Sequence, residues 1–214
     1  MTITYADIPK PISAGLIVLD PLRGTPLRVI GMQFNPDSLQ RSLAPLATQA
    51  DGQGDRSEAL RLIGPAVQTW KVEVELDSTD RFEVPAPEGI RPQLALLELL
   101  IEPSSARLVA NQAALAAGTL EIAPVESPLT VFVWGSSRVV PVRLTELTVT
   151  EEAFDINLNP IRATVSFGMR VLTSNDLPTG HRGAQLFLAH LMGKERTAAL
   201  AAPSRLAGLG LTGL

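Results

Sequence analysis

Residues 161–171 read IRATVSFGMRV, and this stretch constrains the fold most. Ile161, Ala163, Val165, Phe167, Met169 and Val171 alternate with Arg162, Thr164, Ser166, Gly168 and Arg170. A period of two puts the apolar groups on one face of an extended strand and mainly polar groups on the other. The stretch therefore predicts a strand over residues 161–173 with one buried face. The preceding residues 151–160, EEAFDINLNP, carry no catalytic set and are dense in turn formers.

The same reading finds further strands. Residues 16–19 are a short apolar run, Asp20, Pro21 and Gly24 mark a turn, and residues 27–34 supply a hairpin partner. Trp70, Val72, Val74 and Leu76 alternate with Lys71, Glu73 and Glu75, which predicts a strand with one wet face. Arg162 and Arg170 on the polar face of the last strand are candidates to pair with Glu73 or Glu75. Residues 129–134 form a strand, Gly135, Ser136 and Ser137 turn the chain, and residues 139–150 return. The apolar phase slips between Leu144 and Leu147, which predicts a bulge. Residues 35–68 read as a long irregular segment with a flexible acidic tip at residues 51–55.

Helices read as insertions. Pro92 suits the first turn of a helix over residues 94–101, and Pro103 stops it. Residues 105–117 predict a second helix, with Ser104 or Ser105 as cap and Gly118 as stop. Residues 184–200 predict a third. Met1 to Pro11 read as an extended arm, because Pro9 and Pro11 block helix. The fold class expected is mainly β: an antiparallel barrel or sandwich with a side helix over residues 1–175, followed by a C-terminal helical tail over residues 176–214.

Composition narrows the function. The 214 residues include no cysteine, which removes disulfides and thiolate metal sites. Net charge is -4, whereas a nucleic-acid binder is more often basic, so no nucleic-acid partner is expected. No apolar run reaches the ~18 residues a membrane helix needs, and the N-terminus lacks the basic start and apolar run of a signal peptide. Hydrophobic residues make up 45% but aromatics only 4%, so the core is built from Leu, Val, Ile and Ala.

Candidate chemistry dissolves on inspection. Gly208, Gly210 and Gly213 match a dinucleotide fingerprint by letter, but no helix can follow them in this sequence. Asp155, Asn157 and Asn159 imitate a calcium loop, yet Pro160 stands where glycine is needed and Ser166 where glutamate is. Local turn bonding is the better reading of these side chains. Glu151 and Glu152 are adjacent and point to opposite faces of an extended segment, which rules out an acid/base pair unless a bulge intervenes. His181 and His190, the two histidines, form no recognisable zinc set. No enzyme activity, cofactor or metal is expected.

Four stretches together carry a resemblance. They are FNPDSLQRSL at residues 34–43, WKVEVELDSTD at residues 70–80, PQLALLELL at residues 92–100, and residues 147–172. Their types and order resemble the tube-fold proteins of extracellular contractile injection systems, phage-tail-like particles that drive an inner tube through a target envelope. The similarity is to the adaptor type that joins tube to baseplate, without the LysM module that many such proteins carry. The resemblance implies a structural ring protein: a homohexamer that contacts the inner tube, the hub and the baseplate wedge proteins. It implies cytoplasmic synthesis followed by incorporation into a particle. Its motif positions supply the interface candidates Phe34, Asn35, Pro36, Ser38, Leu39, Glu151, Glu152, Phe154, Asn157, Asn159 and Pro160. In the tail, Leu186, Phe187, Leu191 and Met192 crowd within about two turns and so cover more than one helix side. They are the candidates for docking on another subunit or on a baseplate protein, with packing back on the wall of their own barrel as the rival. Two alternatives stand beside this reading: an inner-tube paralogue, and a monomeric β-barrel that binds a small apolar ligand.

Overall fold

The structure, a computed structural model, describes residues 14–20, 23–32, 36–47, 61–78, 87–118 and 127–201. Its frame is one seven-stranded antiparallel sheet. The strands are β1 (Gly15–Leu19), β2 (Pro26–Gly31), β3 (Leu39–Ala47), β4 (Leu62–Asp77), β5 (Leu129–Trp134), β6 (Arg138–Phe154) and β7 (Pro160–Val171), in the order β2-β1-β5-β6-β7-β4-β3. Three helices, α1 (Arg91–Glu98), α2 (Ser105–Ala116) and α3 (Arg182–Ala199), complete the described elements.

β7 lies near the middle of the sheet, with β6 on one side and β4 on the other. Its alternation works as expected: Ala163, Val165, Phe167, Met169 and Val171 are all buried. Ile161 is half-buried and marks the end of the core face. Cross-strand partners extend that face, since Val72 and Leu147 both stand opposite Phe167, and Val74 and Val149 opposite Val165. The phase slip in β6 is a bulge between Leu144 and Glu146.

The sheet curls strongly. β4 and β5 are separated by β6 and β7, so a flat sheet would hold them about 14 Å apart. Instead Trp70 of β4 meets Phe132 of β5 edge to face, with ring centroids 5.8 Å apart. The concave interior is filled by these rings together with Phe167, Met169 and Leu16. Ile90, Leu94 and Leu97 of the α1 region close the same cluster.

Several expectations change. Residues 35–68 are not wholly irregular: β3 occupies Leu39–Ala47, and β4 begins at Leu62 rather than near Trp70. β3 is an edge strand with mostly exposed side chains, and Pro45 interrupts its register. β6 runs on to Phe154, so Glu151, Glu152 and Phe154 belong to a strand, not to the turn. The third helix does form, but Phe187 does not face a partner. It is 1% exposed and sits in the core cluster of its own sheet. The arm at residues 1–11, the acidic tip at residues 51–55 and the Gly/Leu end at residues 206–214 lie outside the described residues.

Candidate assembly surface

The turn between β6 and β7 is built by one side chain. Asp155 Oδ1 accepts from the backbone N–H of Asn157 at 2.7 Å and of Asn159 at 2.8 Å. Its Oδ2 accepts from Asn159 Nδ2 at 2.9 Å. The Asn159 side chain and backbone N–H groups hold the Asp155 carboxyl below its ordinary range. Both carboxylate oxygens serve the turn, which is the local bonding the sequence suggested in place of a calcium loop.

The base of the turn is anchored across the molecule. Asn159 Nδ2 also donates to the carbonyl of Pro87 at 3.2 Å, and Ile90 N–H donates to the carbonyl of Pro160 at 2.9 Å. Gly89 permits this approach: its φ is +60°, and a Cβ there would collide with the Pro160 carbonyl. The tip is thus held in place while it carries apolar groups into solvent. Ile156 is 99% exposed, Leu158 is 78% exposed, and Phe154 beside them is also exposed.

The other candidates scatter. Pro36 is half-buried, Ser38 is exposed, and Leu39 is half-buried against the core cluster. Phe34 and Asn35 lie outside the described residues. Glu151 and Glu152 are exposed, and a register shift does occur between Glu151 and Ala153. Glu152 accepts from the Thr164 hydroxyl at 2.9 Å, a contact along the sheet surface. Arg162 pairs with Glu75 at 3.2 Å and with Asp77 at 2.8 Å, whereas Arg170 pairs with Asp176 at 2.6 Å. In the tail, Leu186 packs on a second apolar cluster around Leu19, Leu129 and Val131, while Leu191 and Met192 are exposed. His181 caps α3, its Nδ1 accepting from Gly183 N–H at 3.1 Å. Among the described residues no group of His, Asp and Glu is placed to hold a metal, and no helix is long and apolar enough to cross a membrane.

More apolar surface emerges from the structure than the motifs suggested. β2 and β3 are the two ends of the sheet, and Leu27, Val29 and Leu43 on them are exposed. Leu62 and Ile63 at the start of β4 are exposed beside the β3 edge. α2 buries no residue at all and exposes Leu108, Val109 and Leu115. A cavity of about 660 Å³ lies between β1, β2 and the end of α1, lined by Val18, Leu27, Leu96, Leu100 and Ile101 among others. It is outside the filled interior of the curled sheet.

No family model matches the chain, and no curated protein does. Among solved structures, a chain of "Virion of native gene transfer agent (GTA) particle" is similar at 13% identity, covering 74% of this chain and 90% of that one, with a TM-score of 0.28. A likeness of that size carries no argument about function.

Proposed function

We propose that the protein is a structural component of a contractile, phage-tail-like injection particle, in which it forms a hexameric ring joining the inner tube to the baseplate. The reading rests on the four ordered stretches of sequence that resemble the tube-fold proteins. The observation that carries it furthest is the β6–β7 tip, which falls in the last of those stretches. A turn fixed by six hydrogen bonds at Asp155 and Asn159 spends that rigidity on presenting Ile156 and Leu158 to solvent. Rigid exposed apolar groups are the mark of a surface that meets another protein. The β2 and β3 edges, which pair with no further strand among the described residues, give a head-to-tail ring two further faces to join. The role is mechanical, and no bond is made or broken.

The small-ligand barrel is the weaker reading. Such a barrel needs an interior that side chains cannot fill, and Trp70, Phe132, Phe167 and Met169 fill this one. Electron cryomicroscopy of intact particles from cells producing the tagged protein tests the proposal. Six copies around the particle axis at the tube–baseplate junction are the expected image. A ring along the tube shaft would favour the inner-tube paralogue, and absence from the axis would overturn the proposal.

A further inference from the structure

A second surface lies away from the β6–β7 tip, where α3 crosses the sheet. Arg41 stands directly opposite Trp70 in the β3–β4 register, so the two side chains share a face. The Arg41 guanidinium carbon is 5.8 Å from the centroid of the indole. α3 brings His190 against the same indole at 6.1 Å, with the rings inclined at 65°. One turn further, Lys194 Nζ donates to Gln68 Oε1 at 3.1 Å. Arg138, at the start of β6, is near enough for its charge, like those of Lys194 and Arg41, to bear on His190.

Two features of this cluster lack a counterpart. The ion pairs of the described residues involve Arg162 and Arg170, so the three cations here have no acidic partner among them. A chain of net charge -4 has thus gathered three cations that no acidic group among the described residues pairs with. In addition, Trp70 Nε1 and His190 Nε2 are buried without a hydrogen-bond partner, on side chains in residues only 1% and 7% exposed. A buried indole N–H without an acceptor is unfavourable and uncommon.

We propose that this cluster is an oxyanion site, which takes a carboxylate or an inorganic tetrahedral anion between Arg41, Arg138 and Lys194 and against the Trp70–His190 pair. The anion offsets part of the positive charge, and Arg41 and Arg138 offer it forked N–H donors. It accepts from the Trp70 indole N–H and, once His190 is protonated, from the imidazolium. Anion and proton therefore bind cooperatively: each tightens the other by the same factor. The occupant is either a free ion or an acidic side chain of a neighbouring protein, which share this chemistry.

NMR on the isotope-labelled full chain tests the site, following the Trp70 indole N–H and the His190 ring while sodium sulfate replaces sodium chloride at constant ionic strength. At about pH 5, where an ordinary histidine is charged, a saturable shift of both signals is expected. The midpoint of His190 titration should rise, and Arg41→Gln with Lys194→Gln should weaken sulfate binding about tenfold or more, a coupling of ordinary size. Thermal melts in chloride establish that the variant is folded. A tetraglutamate peptide forms the second arm: saturation at lower concentration than sulfate assigns the site to a protein carboxylate, and the reverse assigns it to a free ion. Equal shifts in chloride and sulfate, shifts that never saturate, or undiminished binding by the variant would each overturn the proposal. The first two are what a bridging water between Trp70 and His190 would give.

Discussion

Phe187→Ala separates a helix that belongs to the fold from one that merely follows it. Phe187 is 1% exposed and lies in the same cluster as Trp70, Phe132 and Phe167. Truncating a fully buried phenylalanine costs about 3–5 kcal/mol, the transfer free energy plus the cavity left behind. In a domain of this size each kcal/mol lowers the melting temperature by about 2–4 °C, so a fall on the order of 10 °C is expected. Met192, five residues on and 54% exposed, is the internal control. Met192→Ala should change stability by no more than about 0.5 kcal/mol, as surface substitutions do. Urea denaturation followed by circular dichroism measures both. If the two variants lose similar amounts, or if Phe187→Ala melts like the parent, α3 does not seal the sheet and its burial here is irrelevant to folding.

Two further outcomes follow from particular contacts. Gly89→Ala should cost about 1–3 kcal/mol, because alanine is strained at a φ of +60° and its Cβ meets the Pro160 carbonyl; hydrogen exchange at Ile90 N–H, which donates to that carbonyl, should quicken in step. His190 titrates at about 4 rather than 6.5, held down first by burial and then by Lys194, Arg138 and Arg41. In simple solvents the unfolded chain therefore binds a proton that the folded chain refuses, and stability should fall by roughly 3 kcal/mol as pH drops from about 6.5 to about 4, then level off. His190→Gln should flatten that slope in urea melts recorded across the range.

β7 was legible because its two faces meet different surroundings, so Phe167 and Met169 had to alternate with Ser166 and Arg170. β3 was not. It is an edge strand whose side chains are nearly all exposed, so no alternation is imposed on it, and Pro45 reads as a breaker although an edge tolerates it. The Asp155 turn was visible because Asx side chains bond to backbone only a few residues away. The Trp70–His190–Lys194 group had no such local signal. It depends on the curl of the sheet and on which face of α3 turns inward, and both are decided by packing between distant segments. The tail helix shows the same limit: with apolar groups on more than one side, Phe187 and Met192 are indistinguishable in sequence, yet one is sealed and the other is wet.

Leu158 offers a way to part assembly from folding. It is the one non-glycine residue with positive φ among the described residues, at +61°, and it is 78% exposed. The left-handed conformation costs a side chain with Cβ about 1–2 kcal/mol relative to glycine. Glycine gives back about 0.5–1 kcal/mol through the entropy of the unfolded chain. Leu158→Gly should therefore leave the isolated protein unchanged or more stable by roughly 0–1 kcal/mol. The turn keeps its Asp155 and Asn159 bonds, because Leu158 contributes only its backbone N–H, which donates to the Asp155 carbonyl at 3.0 Å. The local fold thus gains nothing from a leucine at this position, and its side chain is free to serve a contact outside the chain. If the tip docks on a neighbour, the variant should melt like the parent yet be incorporated poorly into particles, counted by electron microscopy of lysates from cells carrying the substitution. Normal incorporation would remove the tip from the assembly surface, and a destabilised variant would mean that Leu158 packs within its own domain.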